Sequence, residues 1–125
     1  MATLVTQTPT VGDDLTPTGN ATSAADKFAA TSGRWVLYYK GGASTAVTTI
    51  YALNANTAAP AGTVPAAGTG GTNPFDLRLS NGISGTIDAV CVVDNAATYA
   101  DASGFVNLKH NGTLTGLTVS IFGPF

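Results

Sequence analysis

The sequence predicts a single all-β domain: an antiparallel β-sandwich, or a barrel-like, jelly-roll-like relative of it, with an extended N-terminal arm. Three observations predict it. Thr and Ala dominate, with Gly and Ser behind them, and Glu is absent, so surface helix formers are scarce and a β-branched residue is abundant. Short apolar runs alternate in polarity with the period of a strand. Gly, Pro and Asn-Gly signals separate those runs, and no amphipathic stretch of helical length intervenes. A chain of 125 residues suits one domain with one core.

Residues 1–23 read as an arm followed by turns, and 24–125 as the sandwich. Within the arm, "TLVTQTPTV" can pair as an edge strand, where Pro is tolerated, or stay extended. "RWVLYYK" is the first strong strand, with Trp35, Leu37 and Tyr39 on one face and Val36, Tyr38 and Lys40 on the other. "AVTTIYAL" follows, with Val47, Thr49, Tyr51 and Leu53 sharing a face; the two runs, joined by "GGAST", read as a hairpin. Residues 54–74, rich in Ala, Gly and Pro, carry no strand pattern and read as a long loop suited to docking on a partner.

"FDLRL" alternates, with Phe75, Leu77 and Leu79 inward and Asp76 and Arg78 outward. Asn81-Gly82 then signals a tight turn. "GTIDAVCVVD" is apolar enough for a central strand, with Ile87, Ala89, Cys91 and Val93 on one face. "NAATYADASG" has room for one helical turn. "FVNLKH" and "LTGLTVSIF" flank Asn111-Gly112, the second hairpin signal.

Charged residues make up 10% of the chain, against about a quarter in ordinary domains. A neutral surface of Thr, Ala, Ser and Gly suits a protein packed against neighbours; the other reading is a weakly charged soluble or secreted domain. The net charge of -2 and the scatter of the five Lys and Arg argue against nucleic acid, which needs clustered bases. No apolar run is long enough to span a membrane as a helix. The start "MATLVTQTPT" lacks the basic and apolar regions of a signal peptide, so a reducing cytoplasm is the expected place of synthesis. Cys91 then reads as a buried structural thiol.

The residue types that carry chemistry form no convincing constellation. His110 reads as a solvated residue at a strand end. No zinc-ligand spacing, nucleophile elbow or phosphate loop is present. Asp13-Asp14 reads as turn residues rather than a calcium site. Asp76, Asp88 and Asp94 show no sign of the facing pair that a glycosidase needs. No catalytic, cofactor-binding or metal-binding residue is assigned, and an enzyme is not expected.

Asp26, Lys27 and Arg34 stand out in so neutral a chain. One reading is a strand-entry loop, with Phe28 plugging the core, Asp26 and Lys27 toward solvent and an Asp26–Arg34 ion pair across it. The other is that these charges contact a neighbouring subunit.

The same stretch carries a resemblance. Ala25-Asp26-Lys27-Phe28, a short spacer, Gly33-Arg34, the strand "WVLYYK" and Gly41-Gly42 resemble a pattern in small structural proteins of tailed bacteriophages, the capsid decoration or minor capsid proteins. "YADASGFVNLKHNGTLTGLTVSIF" resembles the ending of the same proteins, where an Asp-containing turn precedes two strands. Together these cover about a third of the chain. In those proteins a Gly-Pro-Phe sits mid-chain; here Gly123-Pro124-Phe125 is last.

The resemblance implies a non-enzymatic β-sandwich on the outer face of a virion's capsid, bound to the major capsid protein and commonly trimeric. A cement protein stabilises a shell by binding its assembled form preferentially, and extended arms can add strands to a neighbour's sheet. On this reading the contact residues are Leu4 and Val5 of the arm, Asp26, Lys27 and Arg34, and Phe122, Pro124 and Phe125 at the end, with the 54–74 loop. A tail or head–tail connector subunit is the nearest alternative. A carbohydrate-binding or adhesive sandwich, with Trp35, Tyr38, Tyr39 and Tyr51 as a stacking face, is the other; a core role for those aromatics competes with it.

Overall fold

The computed structural model describes residues 2–12, 14–42, 47–55 and 76–125. The fold is an all-β sandwich in one domain. Its strands are β1 (Ala2–Thr3), β2 (Thr6–Gln7), β3 (Asn20–Ala21), β4 (Ala25–Ala29), β5 (Trp35–Lys40), β6 (Thr48–Leu53), β7 (Leu77–Ile83), β8 (Ala89–Val93), β9 (Phe105–Gly112) and β10 (Thr118–Phe122). One helical turn, α1 (Ala96–Tyr99), precedes β9, capped by the Asn95 side chain accepting from the Ala97 amide. Sheet I runs β1-β4-β9-β6-β7, and sheet II runs β2-β10-β5-β8 with β3 also beside β10.

Period-two alternation builds the core. In β5, Trp35, Leu37 and Tyr39 are buried while Val36 and Tyr38 are half-exposed, as expected. Phe28 of β4, Val106 and Leu108 of β9, and Val119 and Ile121 of β10 meet them from both sheets. Phe28 tilts against Trp35 with ring centroids 5.5 Å apart. Each such side chain contributes about 1.5–3 kcal/mol by leaving water.

The sheets are mixed rather than purely antiparallel. β1 lies parallel to β4, and β2 lies parallel to β10; the other pairings are antiparallel. The start of the chain crosses from sheet I to sheet II between Thr3 and Thr6. There Leu4 enters the core, and its amide donates to Lys27 O at 2.8 Å. The Asn20 side chain locks the crossing, accepting from Val5 N and donating to Val5 O and Val119 O. The arm thus closes one side of the sandwich.

Several expectations about connections are corrected. β5 and β6 are not a hairpin: β5 pairs with β8 and β10, and β6 with β7 and β9. Asn81-Gly82 lies inside β7, with the following turn at Gly85-Thr86. Asn111-Gly112 ends β9, and the chain turns at Thr115-Gly116 before entering the other sheet. The physical reason is shared. In each case the two strands belong to different layers, packed about 10 Å apart, a gap that a two-residue hairpin turn cannot cross. Gly112 instead serves a close approach: its φ is +119°, and a Cβ there would collide with Val47 O.

Three phase or placement expectations also change. In β6 it is Thr48, Ile50 and Ala52 that face inward, with Tyr51 buried as well, while Val47 is exposed. Asp76 is buried before β7 begins and accepts from the Asn54 amide at 2.7 Å. Among the described residues β8 is not central but the edge of sheet II; Val90 and Val92 are exposed on its uncovered outer face, and Ile87 is exposed ahead of it. The 54–74 loop, beyond Asn54 and Ala55, and Phe75 lie outside the described residues.

Candidate functional site

Among the described residues, buried Asp26, His110 and Tyr39 gather into one polar cluster inside the sandwich. β9 runs on to Gly112, so His110 shares the inward phase of Val106 and Leu108 and is buried, not solvated. Its Nε2 lies 2.8 Å from the Tyr39 hydroxyl of sheet II, and its Nδ1 lies 2.7 Å from Ser23 O. A neutral ring satisfies both contacts, Nδ1–H donating to the carbonyl and Nε2 accepting from the phenol. Burial pushes the His110 pKa below its ordinary value, against the opposing pull of the Ser23 carbonyl and Asp26. The Tyr39 phenol is pushed well up, chiefly by burial.

Asp26, expected toward solvent, is fully buried on the inner side of β4. Its carboxylate accepts from the Ser23 amide and hydroxyl, and its Oδ2 lies 3.4 Å from His110 Nδ1. The cluster therefore ties the end of the arm to both sheets. The Asp26 and His110 side chains are both shut off from solvent.

Arg34 does not reach Asp26. It points outward from sheet II and pairs with Asp94, 2.7 Å from Nη2 to Oδ1, with both side chains largely exposed. Asp26 is buried inside the sandwich while Arg34 is exposed on the outside of sheet II, which is why the expected Asp26–Arg34 pair does not form. Lys27 projects from the outer face of sheet I with Nζ 4.3 Å from the centroid of the Phe105 ring.

The C-terminal residues extend the β10–β5 ladder: the Phe125 amide donates to Arg34 O at 2.8 Å. Gly123 packs against Trp35, while Pro124 and Phe125 stay exposed. Thr8 donates to Gly123 O, which holds the arm beside this end. The structure thus brings Arg34, Phe122, Pro124 and Phe125 together at one end of sheet II. It separates them from Leu4, Asp26 and Lys27, which meet where β1 joins β4. Leu4 is a core residue, not part of an exposed contact surface; the Val5 side chain is exposed.

The larger feature is one that sequence reasoning passed over, the outer face of sheet II. Register sets Val36 beside Val92 and Tyr38 beside Val90. Phe122 of β10 lies beyond Val36. Arg34–Asp94 borders this strip at one end, and at the other Asp88 accepts from the Tyr38 hydroxyl and Gly41 N. Those two bonds hold the Asp88 carboxyl below its ordinary value. The signal in the sequence was the run Val90–Val93 with apolar residues in both phases; it suits a buried central strand equally well.

Trp35, Tyr39 and Tyr51 are buried and Tyr38 is half-buried, so these four aromatics form no open row for sugar stacking. Among the described residues no group of three or more His, Cys, Asp or Glu is placed to hold a metal ion. No helix among them is long and apolar enough to cross a membrane. Comparison with family models, with curated proteins and with solved structures finds no match for this chain.

Proposed function

We propose that this protein is a non-enzymatic bacteriophage structural protein, a decoration protein that binds the outer surface of the assembled capsid and stabilises the head. The observation that carries the reading is spatial. The two stretches that resemble such proteins are far apart in sequence, yet they pair strand for strand. "ADKFA" of β4 lies along "FVNLK" of β9, and "VLYYK" of β5 along "TVSIF" of β10. The two stretches therefore form one contiguous unit within the sandwich, which supports reading them as one pattern.

The surface suits the role. The C-terminal residues lie at one end of the sandwich beside Gln7 and Thr8 of the arm, where Phe125 and Pro124 stand open next to the Arg34–Asp94 pair. An apolar end ringed by a few charges has the composition of an interface core with its rim. The major capsid protein is the partner for that end, and many equivalent copies on a shell make modest contacts effective.

Mass photometry of empty heads of the cognate major capsid protein, with and without the purified chain, tests this. Saturable binding and a raised melting temperature of the heads are expected. A chain that leaves heads unchanged but binds purified tails or connectors would replace this reading with the tail or connector alternative.

A further inference from the structure

We propose that the β5–β8 half of the outer face of sheet II is a contact between two copies of this chain, paired across a two-fold axis parallel to the strands. This rests on the face itself and not on the capsid reading.

The outer face of an antiparallel sheet is ordinarily polar. Here its middle is apolar: Val90 is 68% and Val92 44% exposed, with Val36 and Tyr38 half-exposed beside them. The neighbouring half of the face is already covered. The Gln7 side chain donates to Thr16 O and accepts from Thr18 N, which lays that segment over β10 and buries Ser120. The cover stops there, so the apolar strip over β5 and β8 is left to an outside partner.

Charge placement says which partner. Across the two strands the rows read Arg34–Asp94, Val36–Val92, Tyr38–Val90, and then, continuing the register, Lys40 beside Asp88. Lys40 is close enough to help lower the Asp88 pKa. Both bases thus stand on or next to β5, and both acids flank β8. A second copy turned about an axis parallel to the strands, between β5 and β8, sets each row over its own counterpart. Each copy's Arg34 then faces the other's Asp94, and each Lys40 the other's Asp88, around a closed apolar centre. A two-fold axis perpendicular to the strands would set Asp94 against Asp88 and Arg34 against Lys40. Repulsion disfavours that arrangement. Near-aligned strands are also a standard geometry for stacked sheets. The contact is isologous and closes at two copies, against the three that the resemblance implies.

Sedimentation equilibrium of the full chain without capsids tests it. A concentration-dependent dimer is expected. Val90→Glu, on an exposed side chain, should raise the dissociation constant about tenfold or more while leaving the circular dichroism spectrum unchanged. Arg34→Asp should weaken the dimer, and the exchange Arg34→Asp with Asp94→Arg should recover it. A wild-type monomer or trimer, a dimer indifferent to Val90→Glu, or an exchange that fails to recover pairing overturns the proposal. None of these outcomes bears on whether the chain binds heads.

Discussion

His110 is where a single side chain makes stability depend on pH. Burial lowers its pKa in the folded state below the ordinary value near 6.5, so the unfolded chain takes up the proton first as pH falls. Its contribution is complete above about pH 6.5 and is lost as pH falls from there through the folded-state pKa. Melting temperature should therefore drop between pH 7.5 and 5.5, and His110→Gln should flatten that segment of the curve. An unaltered slope in the variant would assign the drop to other groups. Cys91 makes a second residue-scale test. Burial raises its thiol to about 11, so a thiol reagent at pH 8 should leave the native chain unlabelled and modify it only after denaturation. The sequence had this residue right, because a lone cysteine in an apolar strand has few other fates. It misplaced His110, because the phase of that position depends on β9 continuing through Asn111-Gly112, which local turn chemistry argued against.

Among the elements, the N-terminal arm behaves least like its sequence. Thr- and Pro-rich, it reads as a tether, yet β1 and β2 each complete a sheet and Leu4 lies between them in the core. Leu4→Ala should cost about 2–5 kcal/mol of stability, the range for emptying a buried leucine site, measured by chemical denaturation. A loss under about 0.5 kcal/mol, the scale of a surface substitution, would mean that the arm is not docked in solution. Gly112→Ala should cost about 1–3 kcal/mol, because its φ of +119° and the nearness of Val47 O both disfavour a side chain. β8 shows the opposite error. Its apolar run reads as central, but no strand among the described residues pairs with its other side, and Asp88 and Asp94 mark its ends. Charges flanking an edge strand discourage uncontrolled pairing along it.

For the whole molecule, the balance is between a well-filled interior and a surface with little charge to keep copies apart. Adding charge to the apolar strip, as Val90→Glu does, should raise solubility as well as break the inferred pairing, which a precipitation curve would register. By itself the sequence determined the all-β class, the inward set of β5, room for one helical turn within 95–104 and the burial of Cys91. These follow from composition and short-range alternation, which local sequence carries in full. Only the tertiary structure decided that β5 and β6, β7 and β8, and β9 and β10 enter different sheets, that Asp26 and His110 face each other inside, that Arg34 pairs with Asp94, and that β8 is an edge among the described strands. Those outcomes depend on which strand lies beside which across the sandwich, a property of long-range pairing that no window of the sequence contains.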